Sequence, residues 1–330
     1  MNLRQKINYS IWCDFIERDF LENEFKTLIN DGIIHGATSN PAIFENSITN
    51  SPAYKNDINS MQHLSQKGIY EILAIKDIKR AAEILLPLYE KDTNDGFISI
   101  EVDPTLCDDM MGTIEEGVRL FNTINMPNVM IKVPATVAGY GAMRELTSMG
   151  INVNATLIFT PLQALECAKA LDSGIKKSEK KPKAVVSVFV SRFDRACDDI
   201  FKSKGLETAK LGIINATKCY HEVENLKNDN IRTLFASTGV KGDELPKSYY
   251  IDTLIYPNSI NTAPLDTIKA FETSGTKKMT QLPSLQECND YFEVLNQNNI
   301  NIEEISNKLL NDGLDAFKVS FGQMLTKLKS

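Results

Sequence analysis

Short apolar runs alternate with longer segments of helical periodicity along most of the chain. The predicted strands cover residues 9–15, 34–38, 97–102, 128–134, 151–158, 184–190, 233–237 and 249–255, and helical patterns fill most of the intervals. Such alternation is typical of βα units that build a parallel sheet. The remaining residues, from 264 to 330, show several further helical patterns separated by polar turns.

The run from Asn128 to Thr136 contains one lysine near the end of an apolar, β-branched strand. Pro134 cannot donate to a strand ladder, so the strand is expected to end there and to leave Lys132 at its carboxyl end. Two interpretations of Lys132 follow. It is either a solvated or ion-paired lysine at the mouth of a strand, or an amine that burial keeps partly uncharged, so that it can attack a carbonyl.

Several predicted strands have one apolar face and one polar face. In residues 97–102, Ile98 and Ile100 alternate with Ser99 and Glu101, and in residues 151–158 the side chains of 153, 155 and 157 alternate with those of 152, 154 and 156. Central strands of an open, doubly wound sheet are apolar on both faces. A closed barrel instead packs its outer face on helices and turns its inner face to the axis. We therefore predict an α/β fold, a (β/α)8 TIM barrel with extra C-terminal helices.

Length and composition agree with one globular domain. The chain has 330 residues, of which 42% are hydrophobic and 24% charged, so we expect a single barrel domain over residues 1–330, with residues 264–330 as a helical extension packed on it. The net charge of −7 gives no electrostatic footprint for nucleic acid or an anionic membrane. The lysine-rich block at 176–183 is interpreted as a solvated loop.

Cellular location is predicted from the cysteines and from the apolar runs. The six cysteines form no C-x-x-C pair, which indicates free thiols in a reducing compartment. The N-terminal segment lacks the apolar core of a secretory signal, and no apolar run approaches the roughly 18 residues of a membrane helix. We expect a soluble, cytoplasmic protein.

The residues that could carry catalysis favour a reactive lysine over a metal site. The three histidines, His35, His63 and His221, do not have metal-ligand spacing, and the chain has neither a glycine-rich phosphate loop nor a G-x-S-x-G motif. No metal site is therefore expected. Lys132 with acid and amide residues on neighbouring strands favours Schiff-base chemistry.

Six segments together resemble the transaldolase family, in its longer bacterial-type branch. They read SIWCD at 10–14, TSNP at 38–41, EVD at 101–103, IKVPAT at 131–136, NVNATL at 152–157 and SVFVSR at 187–192. The resemblance covers residues 8 to 262. It implies a class I aldolase-like barrel that needs no cofactor. It also implies transfer of a dihydroxyacetone unit from sedoheptulose 7-phosphate or fructose 6-phosphate to glyceraldehyde 3-phosphate or erythrose 4-phosphate, in the non-oxidative pentose phosphate pathway.

The resemblance also implies roles for the catalytic residues. Lys132 would form the Schiff base with the substrate ketone, and its protonated imine would be the electron sink. Asp14 would take the proton from the substrate hydroxyl and return it to the acceptor aldehyde. Glu101 and Thr156 would position the water that forms and hydrolyses the imine.

The substrate-binding residues implied by the resemblance are Asn40 and Asn154 for the dihydroxyacetone hydroxyls, Ser187 and Arg192 for the phosphate, Phe189 as a wall of the pocket, and Ser237 and Lys241 after the seventh strand. One departure concerns the second phosphate cation. Shorter family members carry an arginine where this chain has Gly239. Lys241 in the same loop either replaces that arginine or is simply exposed.

Three functions remain open on the sequence alone. The first is the transferase. The second is a fructose 6-phosphate aldolase-type enzyme that releases free dihydroxyacetone, and the third is a non-catalytic barrel that binds sugar phosphates. In each case the expected partners are sugar phosphates, and the chain is expected to be a monomer or a homodimer.

Overall fold

The computed structural model describes residues 3–329 and contains a closed parallel barrel. Its strands pair in chain order, and the eighth closes on the first. They are β1 Ser10–Cys13, β2 Gly36–Thr38, β3 Phe97–Glu101, β4 Val129–Pro134, β5 Asn152–Ile158, β6 Ala184–Phe189, β7 Ile231–Ala236 and β8 Ser259–Ala263. The predicted (β/α)8 barrel is confirmed.

Fifteen helices of the described residues surround this barrel or extend beyond it. They are α1 Leu3–Ile7, α2 Arg18–Glu22, α3 Glu24–Asn30, α4 Pro41–Asn50, α5 Lys55–Ser60, α6 Gln66–Lys91, α7 Met110–Ile124, α8 Val137–Ser148, α9 Pro161–Lys177, α10 Ser191–Ser203, α11 Leu211–Glu224, α12 Tyr249–Thr253, α13 Leu265–Ser274, α14 Leu285–Gln297 and α15 Ile302–Lys327. Short 3-10 turns lie at Pro52–Tyr54 and Pro104–Leu106. Within residues 3–329, no helix is both long enough and apolar enough to cross a membrane.

The hydrophobic core has two parts. The larger part lies between the strands and the outer helices, and the smaller part fills the barrel interior with Trp12, Phe97 and Met130 among its members. A Cβ at Gly36 would lie 2.7 Å from the indole ring of Trp12. Glycine at this position therefore lets the tryptophan fill the barrel axis, as layered packing requires.

The predicted eighth strand at residues 249–255 is wrong. The structure has helix α12 there, and its buried apolar residues, Tyr250, Ile251, Leu254 and Ile255, recur at helical spacing. Strand β8 follows at Ser259–Ala263 and pairs with β1 and β7. It was missed because it is rich in serine, asparagine and threonine, which face the barrel interior or its rim instead of giving a hydrophobic signal.

The predicted orientation of Leu157 is also wrong. Val153 and Ala155 pack in the outer core, but Leu157 belongs to the inner cluster. The pairing of β5 with β6 shifts register between Ala155 and Ile158, and Leu157 has a positive φ of 57°. A bulge of this kind breaks the two-residue alternation on which the sequence prediction rested.

The C-terminal helices lie on the barrel. Helix α13 follows β8 and contacts β1, whereas α15 contacts α4, α6, α10, β5 and the 3-10 turn at 104–106. These elements border the carboxyl-terminal mouth of the barrel, where active sites of this fold are found. The lysine-rich residues at 176–183 lie at the end of α9 and in the loop before β6, and most of their side chains are exposed.

Candidate active site

A cavity of about 130 Å³ opens at the carboxyl ends of the strands. It is lined by Asp14, Thr38, Asn40, Lys132, Thr156, Ser187, Phe189, Arg192, Ala236, Ser237, Thr262 and Phe317. Eight of the eleven residues proposed from the sequence are in this group. Glu101, Asn154 and Lys241 are not, and their positions are given below.

Lys132 lies at the floor of the cavity and is only 5% exposed. Its Nζ donates a hydrogen bond to the carbonyl oxygen of Ser39 at 3.0 Å and lies 3.5 Å from Oε2 of Glu101. The ring centroid of Phe317 is 5.8 Å from the same nitrogen. The amine is therefore out of bulk water, in an ion pair on one side and below an aromatic ring on the other.

Glu101 is directly opposite Lys132 in the register of β3 and β4. Burial raises the pKa of the Glu101 carboxyl to about 7, with Lys132 opposing this change and Asp14 adding to it. Among the described residues, Oε2 of Glu101 and Oγ1 of Thr156 are buried without a hydrogen-bond partner. Buried polar atoms are normally satisfied, so two such atoms in one site can be used for binding.

Asp14 follows β1 and reaches the same cavity from the opposite side. Oγ1 of Thr38 donates to its carboxylate at 2.6 Å, and Oγ1 of Thr262 lies 2.7 Å from that of Thr38. Burial raises the pKa of Asp14, and Lys132 and the Thr38 hydrogen bond oppose this. Of the carboxylates in residues 3–329, only that of Glu101 is within 4 Å of Lys132, as expected if both acids cannot be tight ion partners of one lysine.

The two asparagines occupy different depths. Asn40 caps helix α4, with its Oδ1 accepting from the backbone N–H of Ile43 at 3.0 Å, so the amide N–H groups remain available at the cavity wall. Asn154 is fully buried; its Oδ1 accepts from Ser187 at 2.6 Å and its Nδ2 donates to Ser99 at 2.9 Å. Asn154 therefore lies behind the cavity and acts on it through Ser187.

A cationic side of the cavity is formed by helix α10. The guanidinium carbon of Arg192 lies 4.9 Å from the ring centroid of Phe189. Burial lowers the pKa of Arg192, the positive charge of Arg195 lowers it further, and Asp312 opposes both. In the described part of the chain, no carboxylate lies within 4 Å of Arg192, so its charge is available to an anion.

The loop after β7 places Ser237 at the cavity and Lys241 outside it. Ser237 has a left-handed φ of 55°, and its carbonyl oxygen accepts from the N–H of Ser191 at 3.0 Å. Lys241 is exposed and does not line the cavity. A Cβ at Gly239 would lie 3.1 Å from Pro264, so this part of the loop packs closely on the start of α13.

Four cavity residues were not singled out from the sequence: Thr38, Ala236, Thr262 and Phe317. Thr38 was within a motif that was noticed for Asn40, and its place beside Asp14 follows from the pairing of β1 with β2. Thr262 lies on the strand that was misassigned. Phe317 comes from α15, more than 180 positions after Lys132 in the chain, and no local pattern indicates that contact.

Comparison with known proteins gives consistent matches over nearly the whole chain. The family model described as Transaldolase/Fructose-6-phosphate aldolase matches residues 11–328. A protein named Transaldolase from Helicobacter pylori (strain P12) is 48% identical over 317 residues, which cover 96% of this chain and 98% of the relative. Another Transaldolase, from Campylobacter jejuni subsp. jejuni serotype O:23/36 (strain 81-176), is 47% identical over 332 residues, covering 97% and 99%.

Proposed function

The chain belongs to the transaldolase/fructose-6-phosphate aldolase family, and we propose that it uses Lys132 to carry a dihydroxyacetone unit between sugar phosphates. Transaldolase activity is the function supported by relatives that are 47–48% identical over almost their full length. The donors are ketose phosphates such as sedoheptulose 7-phosphate and fructose 6-phosphate. The acceptors are aldose phosphates such as glyceraldehyde 3-phosphate and erythrose 4-phosphate, within the non-oxidative pentose phosphate pathway.

The observation that carries the proposed mechanism is the burial of Lys132 between the carboxylate of Glu101 and the aromatic ring of Phe317. Nζ of Lys132 lies at the floor of the cavity, where it can attack the ketone carbon of a bound sugar phosphate. Nζ of Lys132 adds to the carbonyl carbon, water leaves, and a protonated imine remains. That imine accepts the electron pair when the bond between the next carbon and the hydroxyl-bearing carbon beyond it breaks.

Asp14 is the proposed base of the cleavage step. It removes the proton from the substrate hydroxyl, the carbon–carbon bond breaks, and an aldose phosphate leaves while three carbons remain on Lys132 as an enamine. In the second half of the reaction the enamine attacks an acceptor aldehyde and Asp14 returns the proton to the new hydroxyl. Burial raises the pKa of Asp14, which makes its carboxylate a stronger base for the substrate hydroxyl than an exposed aspartate.

Glu101 and Thr156 are proposed to position the water that enters and leaves with the imine. The two unpartnered oxygen atoms described above support this assignment, and a pKa of about 7 suits Glu101 for proton transfer. Asn40 is proposed to hold the hydroxyls of the three-carbon unit with its free amide. Asn154 is proposed to position Ser187, because its own acceptor is already used by that hydroxyl.

Arg192 is the proposed principal contact of the substrate phosphate, with Ser237 as a hydroxyl donor and Phe189 as the wall under the guanidinium. Ser187 is the proposed second hydroxyl donor, and it would turn its O–H from Asn154 to the phosphate when substrate binds. Guanidinium groups bind phosphate through strong, charge-assisted hydrogen bonds. Lys241 is proposed as a second cation for the substrate phosphate. Its side chain is exposed in the structure, so its loop would have to rearrange to bring the ammonium to the cavity.

One assay distinguishes transferase activity from aldolase activity that releases free dihydroxyacetone. The protein is incubated with fructose 6-phosphate, with and without erythrose 4-phosphate, and sedoheptulose 7-phosphate and free dihydroxyacetone are measured. We expect sedoheptulose 7-phosphate to be the main product when the acceptor is present, with little dihydroxyacetone. Dihydroxyacetone formed at the same rate with and without acceptor would assign the chain to the aldolase type. Absence of both products would indicate a non-catalytic protein that binds sugar phosphates.

Cytoplasmic location and a monomeric or homodimeric state are also proposed. All six cysteines are buried free thiols, which supports a reducing compartment. Sedimentation velocity of the purified chain tests the assembly state, and a species larger than a dimer would exclude it.

A further inference from the structure

Helix α15 presents a continuous face to the mouth of the barrel. Leu309, Gly313, Phe317 and Phe321 recur every four residues, and all four are buried. Phe317 is 6% exposed and Phe321 is 5% exposed. Residues at this spacing lie on one side of a helix, and of these four only Phe317 lines the cavity.

Glycine at position 313 allows α15 to lie close to the rim. A Cβ there would be 3.0 Å from Nη1 of Arg192 and 3.0 Å from Cδ2 of Leu157. Because these contacts leave no room for a larger side chain, the helix approaches the phosphate side of the cavity directly. One turn later, Phe317 reaches over Lys132.

The same helix is held at its far end by contacts outside the cavity. Phe321 packs edge-to-face on Tyr70, with ring centroids 5.2 Å apart. Lys327 forms an ion pair with Glu45 at 2.9 Å, and Nε2 of Gln62 donates to the carbonyl oxygen of Leu328 at 3.0 Å. All three contacts lie outside the cavity. The ion pair and the hydrogen bond hold the end of α15 without the Phe321 ring, so Phe317 stays over the cavity when that ring is removed.

We propose that Phe317 decides whether the three-carbon intermediate on Lys132 is transferred to an aldose or released by water. This inference rests on the proposed Schiff-base function. In transfer, the enamine carbon forms a bond to the acceptor aldehyde. In release, Asp14 returns its proton to that carbon, water adds to the resulting imine with formation of a C–O bond, and the C–N bond breaks. Dihydroxyacetone then leaves and the lysine amine is restored.

The physical basis is control of the access of water to the imine carbon that is bonded to Nζ of Lys132. The Phe317 ring covers Nζ of Lys132 with an apolar surface and offers its face to the cationic imine, an attractive arrangement. An apolar cover excludes water from a reactive intermediate while the acceptor sugar displaces whatever solvent remains. Removing the ring opens a path for water to the imine carbon without touching Lys132, Asp14 or Glu101.

The test compares substitutions at two phenylalanines of the same helix. Phe317→Ala is expected to raise the ratio of dihydroxyacetone released to sedoheptulose 7-phosphate formed by about tenfold or more, because the barrier to water falls by about 1.4 kcal/mol or more. Phe317→Leu, which keeps an apolar cover, is expected to stay within about twofold of the unsubstituted protein. Phe321→Ala removes an equally buried ring outside the cavity and is expected to leave the ratio unchanged.

Borohydride trapping of the lysine adduct in each variant gives the lifetime of the intermediate independently of turnover, and thermal unfolding shows that each variant is folded. An unchanged product ratio in a folded Phe317→Ala variant overturns the inference, as does an equal rise in Phe321→Ala. Because the unsubstituted protein must first form sedoheptulose 7-phosphate in the same assay, failure of the proposed function is seen separately.

Discussion

Two buried cations lie inside the same barrel, Arg232 near its amino-terminal end and Lys132 near its carboxyl-terminal end. They are 4% and 5% exposed. Arg232 donates to the carbonyl oxygens of Asn8, Asn94 and Ser259 at 2.6–2.9 Å. Lys132 has one hydrogen bond, to Ser39, and one ion pair at 3.5 Å.

The difference in pairing between Arg232 and Lys132 indicates that a buried cation has a different role at each end of the barrel. Arg232 has a partner for nearly every donor and joins segments that would otherwise leave carbonyl groups unsatisfied, which is a structural role. Lys132 has donors to spare. Among the described residues, Oε2 of Glu101 has the long ion pair with Lys132 but no hydrogen bond, and Oγ1 of Thr156 has no hydrogen bond. A cation that is buried and incompletely paired is costly for folding and is retained where chemistry needs it.

The largest expected effect is that of Lys132→Ala. Loss of the proposed nucleophile should reduce sedoheptulose 7-phosphate formation by at least about 10⁴-fold, the size of effect seen when a covalent catalyst is removed. The melting temperature should change by only a few degrees or rise, because few contacts are lost. Activity and thermal unfolding are measured on the same preparation. Retained turnover in this variant would remove the lysine from the mechanism.

Arg232→Ala should give the opposite pattern. Breaking a buried, hydrogen-bonded charge costs about 3–5 kcal/mol of stability, whereas kcat per folded molecule should stay within about twofold because the site lies at the other end of the barrel. Urea unfolding gives the first quantity and active-site titration by borohydride trapping the second. A variant with normal stability and impaired turnover would reverse the roles assigned to the two cations.

Glu101→Gln should lower kcat/KM by about 10²–10³-fold, since a proton-transfer group is lost. The proposed role of Glu101 requires its carboxylate form in the unsubstituted protein, so kcat/KM should rise with pH through about 7, the pKa of Glu101. This limb should disappear in the variant. A pH profile from 5 to about 9 checks both points. An unchanged acid limb in Glu101→Gln would assign that titration to another group.

The same carboxyl also makes a prediction for stability. Its pKa is raised on folding from 4.5 to about 7, so the folded protein binds this proton more tightly than the unfolded chain. Its contribution is present at low pH and is lost as the pH rises through this interval. The difference in melting temperature between the unsubstituted protein and Glu101→Gln, measured across the interval, should therefore change in favour of the variant as the pH rises.

The smallest effects on activity are expected for substitutions of the proposed phosphate-binding cations, Arg192 and Lys241. Arg192→Ala should raise KM for fructose 6-phosphate by about 10–100-fold with a smaller change in kcat, because a charge-assisted contact to the substrate is lost. Lys241→Ala should raise KM by about two- to threefold, a small effect because its ammonium is exposed. An unchanged KM in Lys241→Ala would exclude its phosphate role, and an equal effect of the two substitutions would show that the loop closes on the substrate.

Much of this site could be predicted from the sequence because strand periodicity reports what faces the barrel axis. Asp14, Lys132 and Thr156 were placed correctly at strand ends by counting residues from an apolar run. Leu157 was placed wrongly because a bulge changes the count without changing the composition. The eighth strand was missed because its interior residues, such as Thr262, are polar.

The position of Phe317 over the cavity could not be predicted from the sequence, for a different reason. Its helical segment was predicted, but nothing in the local sequence distinguishes its ring from that of Phe321, which packs outside the cavity. The distinction comes from the close approach of Gly313 to the barrel rim, a tertiary contact between distant parts of the chain. Contacts of this kind are set by the packing of whole elements and leave no periodic signal.

The most direct test of the account is to find the nitrogen that captures the substrate. The protein is incubated with fructose 6-phosphate and borohydride, digested, and the modified peptide is sequenced by mass spectrometry, with Lys132→Ala treated in parallel. The account predicts one reduced three-carbon or six-carbon adduct, on Lys132, and none in the variant. An adduct on another lysine, or no adduct in a protein that forms sedoheptulose 7-phosphate, would contradict it.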